Sequence, residues 1–351
     1  MSPTRTRIRR IGGRLLLLLL PLLLAFGATE LVLRATQAPP SADPDNEAVD
    51  SRWLAAVPSS RLGWIFPPDT TGVFRSSGRN TPLTTNSWGL RGPEVAPGPE
   101  VRHILFLGDS YTFGWGVPDS AGFVRVVEAD LRREHPSTEV ACINGGLPGY
   151  SIYQQIRMLD FVGEMTNVDA VVATISLAND PIDEKRIRRF APDRLAEFSY
   201  QLRDPSSLTA RLISSSRLLT LIDQRTTHLQ FSLINTDRQC RDLADESLRD
   251  LAEACRRADL PLVWMIVPRA QEVRPGGFLK RSLNGATERL RRHFLELAGS
   301  LEVPVLDLKP VLVEVQSREE AYLPADAHWT AAGHRAVAEA LMPFLQEDQS
   351  R

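Results

Sequence analysis

Lysine is almost missing from this chain: it occurs three times, at Lys185, Lys280 and Lys309, against 38 arginines in 351 residues. That imbalance is a compositional bias, and what carries meaning is where the positive charge falls. Residues 1 to 34 hold six arginines against one acid, Glu30, which leaves 35 basic and 42 acidic residues in the remainder, a net −7. No basic face is available there for a polyanion, which excludes nucleic acid as a partner. Cysteine is equally scarce. Cys142, Cys240 and Cys255 form no Cys-x-x-Cys pair and show no histidine partner pattern, so neither a zinc site nor a disulfide framework is indicated. Cys240 and Cys255 fall in one helical stretch, ~22 Å apart along its axis at ~1.5 Å per residue, too far for a bridge. Buried free thiols are expected. Two glycine signatures also fail. The nucleophile elbow Gly-x-Ser-x-Gly needs glycine where Thr112 stands, which disfavours the α/β-hydrolase superfamily. Gly114-x-Gly116-x-x-Asp119 lacks the third glycine of the dinucleotide fingerprint, and no acid is evident at the ribose position. A redox cofactor is unsupported, and no internal repeat is visible.

Long apolar runs are confined to one place. Arg5, Arg7, Arg9, Arg10 and Arg14 precede a charge-free run from Leu15 to Thr29; Glu30 interrupts it, and Leu31 to Leu33 continue it. As one helix, positions 15 to 33 reach ~28 Å at ~1.5 Å per residue, close to the ~30 Å hydrocarbon core of a bilayer. Two readings stand: a cleaved secretory signal with Ala25-Phe26-Gly27 at the cleavage site, and an uncleaved N-terminal anchor, which the poor cleavage site favours. Either way the arginines stay on the cytoplasmic side and the body is exported. No cysteine follows the run, which excludes a lipoprotein. Residues 35 to about 60, rich in Pro, Ser and acids, have linker composition. The remainder to about residue 100 reads as an irregular or β-hairpin lead-in, with β-prone pieces at 72–74 and 81–85.

From Val101 onward apolar strand-like runs alternate with helical periodicity, which predicts an α/β fold: a mostly parallel sheet of about five strands between helices. The strands are placed at 103–107, 139–143, 169–176, 261–267 and 303–307, and helices at 122–134, 152–164, 237–257, 285–300 and 331–345. Pro268 and Pro310 serve as punctuation at strand ends. Residues 181–236, rich in Arg and Leu, read as a helical insertion beside the sheet's functional end, either a solvated excursion or a lid or acceptor-binding element. The plan is therefore an N-terminal segment (1–34), a linker and lead-in (35–100) and a catalytic domain (101–351) with that insertion.

Chemistry-bearing residues gather where open α/β sheets place their sites, beyond the carboxyl ends of strands. Ile104 to Leu107 runs into Gly108-Asp109-Ser110, so Ser110 is either the cap of the next helix or a nucleophile. Strand 139–143 leads into Asn144-Gly145-Gly146-Leu147-Pro148-Gly149, whose glycines let backbone N–H groups approach a ligand. Strand 169–176 leads into Leu177-Ala178-Asn179-Asp180. Near the C-terminus, Asp326 and His328 stand two apart in a loop after Pro324, where both side chains can face one side. His328 alone among six histidines has an acid so close in a loop; His135, His293 and His334 fall on helices among polar neighbours, and His103 starts a strand. Asp180, Asp183 and Glu184 read as a solvated helix start, since no histidine is nearby to make them a metal site. A serine nucleophile needs a base, a carboxylate to orient it and donors for an oxyanion, and all three types are present.

Taken together, these residues resemble the SGNH/GDSL hydrolase superfamily. The resemblance covers roughly 101–351 less the insertion and implies a three-layer α/β/α, flavodoxin-like sandwich. Gly108-Asp109-Ser110 is similar to the first block, which makes Ser110 the nucleophile and its N–H an oxyanion donor. Asn144 to Tyr150 is similar to the second, with Gly149 matched to the oxyanion glycine and Gly146 as the second choice. Leu177-Ala178-Asn179-Asp180 is similar to the third, with alanine for the usual glycine and Asn179 donating its amide. Asp326 and His328 match the last block as orienting acid and general base, with one residue between them where the superfamily commonly has two. Asp-x-His-Trp-Thr, with Gly333 after it, resembles the extracytoplasmic branch that includes alginate-type O-acetyltransferases.

The resemblance implies an extracytoplasmic serine esterase acting on acyl, above all acetyl, esters, with an O-acetyltransferase on an exported polysaccharide or cell-wall glycan as the alternative. It requires no cofactor and no metal. A catalytically silent scaffold or glycan-binding module is the reading from another class; it predicts no reaction of Ser110 with a fluorophosphonate.

Overall fold

The lead-in is built of two hairpins. In the first, β1 (Val57–Ser59) pairs with β2 (Gly63–Ile65), and in the second, β3 (Thr71–Ser76) pairs with β4 (Arg79–Thr84). The second falls where the β-prone pieces predict it; the first carries no alternating pattern long enough to read. Five more strands follow: β5 (Arg102–Gly108), β6 (Val140–Gly146), β7 (Ala170–Ser176), β8 (Leu262–Val267) and β9 (Val305–Asp307). They form one parallel sheet in the order β6-β5-β7-β8-β9. This computed structural model describes residues 21, 24–36, 56–76, 79–191, 193–197, 215–216, 218–219, 237–274, 278–324 and 326–346.

In the larger of the chain's two compact units, nine α-helices among the described residues accompany the strands: α1 (Ser110–Phe113), α2 (Phe123–Glu134), α3 (Ile152–Gly163), α4 (Asp180–Ile187), α5 (Arg238–Arg257), α6 (Ala270–Val273), α7 (Phe278–Ser300), α8 (Leu308–Arg318) and α9 (Ala331–Gln346). Alternation along β5 shows how the layers are made. Leu105 and Leu107 join a core with Leu159, Leu248 and Phe294, from α3, α5 and α7, while Ile104 and Phe106 join a second core with Val127 and Leu341, from α2 and α9. Both faces of the sheet are therefore covered, which is why its strands are continuous apolar runs. The result is the three-layer α/β/α sandwich. Pro310, read from the sequence as strand punctuation, instead sits in the first turn of α8, where its missing N–H has no intrahelical partner to lose.

Counted along the chain the sheet order is 2-1-3-4-5, so the direction of winding reverses between β5 and β7. A crevice opens at such a point beyond the strand ends. Ser110 follows β5 and Asn179 follows β7, which places both at that crevice.

The chain divides into two compact units, Asp45–Tyr200 with Phe231–Arg351, and Met1–Pro44 with Gln201–Gln230. In the smaller unit residues 24–36 are helical, and Glu30 accepts hydrogen bonds from Ser216 Oγ and the Leu218 N–H, each at 2.9 Å. The leucine run at 15–20 lies outside the described residues, as do most of residues 198–236 of the insertion. Among the described residues no helix is long and apolar enough to cross a membrane.

In the larger unit the lead-in is part of the core. Leu62, Trp64, Phe66 and Leu83 are buried with the α3 side of the sheet. Arg91 goes deepest. Its guanidinium is buried and donates to the carbonyls of Phe113 (2.8 Å), Gly114 (2.6 Å) and Val117 (2.7 Å), lies over the Phe113 ring at 4.9 Å and stands 3.5 Å from Asp119. Burial lowers its pKa to about 10, so it keeps its charge at neutral pH. Arg91→Ala leaves those carbonyls without their donor; the expected loss is about 3–5 kcal/mol in urea denaturation.

Candidate active site

The Gly-Asp-Ser turn divides its labour between two residues. Asp109, not Ser110, caps α1: its Oδ1 accepts the Tyr111 N–H at 2.9 Å, and Ser110 is the first helical residue. The Ser110 hydroxyl is thereby released from capping. The turn also requires that Gly108 carry no side chain, because a Cβ there would come within 2.2 Å of Thr112 Oγ1.

The partner of that hydroxyl comes from the far end of the chain. Residues 321–330 close into a tight loop, with the Leu323 N–H donating to the His328 carbonyl at 2.8 Å and the Thr330 N–H to the Ala321 carbonyl at 3.0 Å. Inside it the Asp326 carboxylate stands 2.5 Å from His328 Nδ1 and 2.6 Å separates His328 Nε2 from Ser110 Oγ. The carboxylate accepts a hydrogen bond from the Nδ1–H, so Nε2 is left as the acceptor for the serine hydroxyl. Asp326 Oδ1 also accepts the His328 backbone N–H at 3.1 Å, so one residue between acid and base is enough spacing here. The Tyr111 hydroxyl, which the sequence did not single out, donates to the Ala327 carbonyl at 2.8 Å and ties this loop to α1.

The three oxyanion candidates are placed differently. Among the described residues neither the Ser110 N–H nor the Gly149 N–H has a hydrogen-bond acceptor. The Gly146 N–H, by contrast, donates to Asn144 Oδ1 at 3.1 Å, which leaves Gly149 as the available glycine of its block. Gly149 lies in the left-handed region, φ 77°, in a loop joined to the nucleophile turn by the Leu147 N–H donating to the Gly108 carbonyl at 3.3 Å. Asn179 is committed elsewhere: its Nδ2 donates to Asp109 Oδ2 at 3.1 Å and to Asp183 Oδ2 at 2.9 Å, while its Oδ1 accepts from Ser176 Oγ at 2.7 Å. For Asn179 to donate to an oxyanion, one carboxylate must give up its share.

Those carboxylates correct the sequence reading. Asp180, Asp183 and Glu184 are not a solvated helix start; they are buried together with Asp109 beneath the strand ends. Their polar burial is supported by specific donors: the Ser176 N–H serves Asp180, the Tyr153 N–H, Arg188 and Ser247 serve Glu184, and Arg186 serves Asp183. Among the described residues no acid or histidine group is arranged to hold a metal ion. His334 is a second correction. It lies buried between Phe123 and Trp329, not among polar groups, and its Nδ1 accepts the Phe123 N–H at 3.3 Å. Cys142, Cys240 and Cys255 are free and buried.

Burial raises the pKa of all four acids, and Asp183 reaches about 6 even with Asn179 and Arg186 beside it. A folded pKa above the unfolded value means that the folded state holds the extra proton. The stability this gives is complete below about pH 4 and is lost as pH rises through about 6. Asp183→Asn removes that penalty. Its melting temperature is expected to exceed wild type at pH 7.5, by an equivalent of about 1–3 kcal/mol, and to match it near pH 4.

A half-buried serine hydroxyl on a histidine–carboxylate pair, at the switch point of a parallel sheet, defines a serine hydrolase of SGNH type. Residues 106–336 match the GDSL-like Lipase/Acylhydrolase family, about two thirds of the chain, and the protein belongs to that family. Its reaction class is that of a serine carboxylic-ester hydrolase. No curated protein sequence matches the chain. Among solved structures it is similar to the acetyl xylan esterase AlAXEase (15% identity, 69% of this chain and 98% of that one, TM-score 0.42). It is also similar to the acetylxylan esterase Axe2 of Geobacillus stearothermophilus (16%, 70% and 94%, 0.42) and to a lipolytic G-D-S-L family member of Veillonella parvula (14%, 69% and 97%, 0.42).

Proposed function

We propose that this protein is an esterase that removes small acyl groups, acetyl first among them, from carbohydrate esters outside the cytoplasmic membrane. The observation that carries the reading is the unbroken relay from Ser110 Oγ through His328 to Asp326, with steps of 2.6 and 2.5 Å. A silent scaffold has no use for a serine hydroxyl so held. Ser110 Oγ attacks the ester carbonyl as its proton passes to His328 Nε2, and Asp326 stabilises the imidazolium. The Ser110 and Gly149 N–H groups meet the tetrahedral oxyanion, joined by the Asn179 amide once it turns from a carboxylate. His328 then protonates the departing sugar oxygen as its bond to the acyl carbon breaks, and water activated by the same nitrogen releases acetate from the acyl-enzyme. The arginine cluster and leucine run before residue 24 support an anchored, exported body.

O-acetyl transfer is the second reading, favoured by the Asp326-x-His328 spacing. The two differ only in whether water or a sugar hydroxyl reaches the acyl-enzyme. Purified protein given an acetylated xylo-oligosaccharide and an unacetylated acceptor is expected to release free acetate. Acetyl groups appearing on the acceptor in place of free acetate would establish transfer instead, and neither product would refute the acyl-ester reading.

A further inference from the structure

The tripeptide Gly114-Trp115-Gly116 fails as a dinucleotide signature and has no part in the relay just described, yet it sits directly on it. Gly114 and Gly116 are both left-handed, φ 82° and 78°. The loop they shape brings Trp115 onto the imidazole: the Trp115 and His328 rings are stacked, with centroids 5.0 Å apart and planes 19° from parallel. The Trp115 Nε1–H also donates to Asp326 Oδ2 at 3.2 Å. One indole therefore touches both members of the pair.

The second contact matters because of how Asp326 is held. Its Oδ1 already takes two donors from His328, the ring Nδ1–H and the backbone N–H. Those two bonds fix one oxygen, and a third donor on Oδ2 fixes the plane of the carboxylate. The stacked face does a separate job, since an aromatic face favours a cation over a neutral ring and His328 becomes a cation during attack. Packing alone would need neither the N–H contact nor the near-parallel stack. The loop itself is anchored from below, where Arg91 holds the carbonyls of residues 113, 114 and 117 on both sides of Trp115.

We propose that Trp115 is the positioning residue of the His328–Asp326 pair, orienting the carboxylate through its indole N–H and holding the imidazole against its face. This rests on the relay reading above.

Two variants separate the contacts: Trp115→Phe keeps a ring without the N–H, and Trp115→Leu keeps neither. With 4-nitrophenyl acetate, kcat is expected to fall about 10-fold in Trp115→Phe and about 100-fold in Trp115→Leu, with KM within about twofold of wild type. The His328 Nδ1–H proton resonance, identified by its disappearance in Asp326→Asn, is expected to move upfield and broaden in Trp115→Phe. An unmoved resonance with kcat within twofold in both variants, or a change confined to KM, overturns the inference. Wild-type protein that neither turns over the ester nor reacts with a fluorophosphonate sinks the relay reading instead. The resonance in Trp115→Phe still decides the role of the indole in that case, because it requires no turnover.

Discussion

Ser110→Ala is expected to lower kcat for acetyl-ester hydrolysis by about a million-fold while leaving the fold untouched. The size follows from the relay acting as a unit: without Oγ there is no acyl-enzyme, and His328 and Asp326 have nothing to activate but water. What remains is the contribution of oxyanion donors and substrate binding, about 10³–10⁴ over water. The absence of a stability effect follows from the cap. Asp109 accepts the Tyr111 N–H, so removing the neighbouring hydroxyl takes no bond from the start of α1. Single-turnover assays and a thermal melt of the same preparation check both halves. A loss of only a few-fold would remove Ser110 from the chemistry.

Asp326→Asn is expected to lower kcat by about 10⁴-fold with little change in KM. The reason is a matter of which nitrogen carries the proton. In the wild type the carboxylate accepts from His328 Nδ1, which leaves Nε2 free to accept from Ser110. An amide can offer oxygen at only one of the two carboxylate positions, which meet the Trp115 indole N–H on one side and the two His328 donors on the other, and where its nitrogen faces Nδ1 it can only donate. Nδ1 must then accept, the proton moves to Nε2, and the ring presents a donor where the serine needs an acceptor. Asp326→Ala distinguishes this from simple loss of charge: without an amide to impose the wrong tautomer, it is expected to retain more activity than Asp326→Asn at equal stability. Equal activity of Asp326→Asn and wild type would move the orienting role to another carboxylate.

Much of this arrangement was legible in the sequence because the residues that make it lie at strand ends. Ser110, Gly149 and Asn179 each follow a short apolar run, and the fold class and all five sheet strands agree with that reading. Asp326 and His328 were readable because they are neighbours in a loop. Local pattern failed where a neighbour distant in sequence decides the outcome. Asp180, Asp183 and Glu184 look like an exposed helix start, yet donors from Tyr153, Arg188 and Ser247 make their burial possible. His334 has polar neighbours along the chain and aromatic ones in space. Arg91 is one arginine among 38 until residues 113–117 fold over it. The two glycines around Trp115 were the only trace in the sequence that this loop takes an unusual path.

The central claim is that Ser110 is a nucleophile made reactive by His328, and a covalent probe tests it without knowledge of the substrate. Wild-type protein treated with a fluorophosphonate, digested and mapped by mass spectrometry is expected to carry a single adduct on Ser110, formed far more slowly in His328→Ala. No adduct on Ser110 in folded wild-type protein, or labelling at an unchanged rate in His328→Ala, would contradict it.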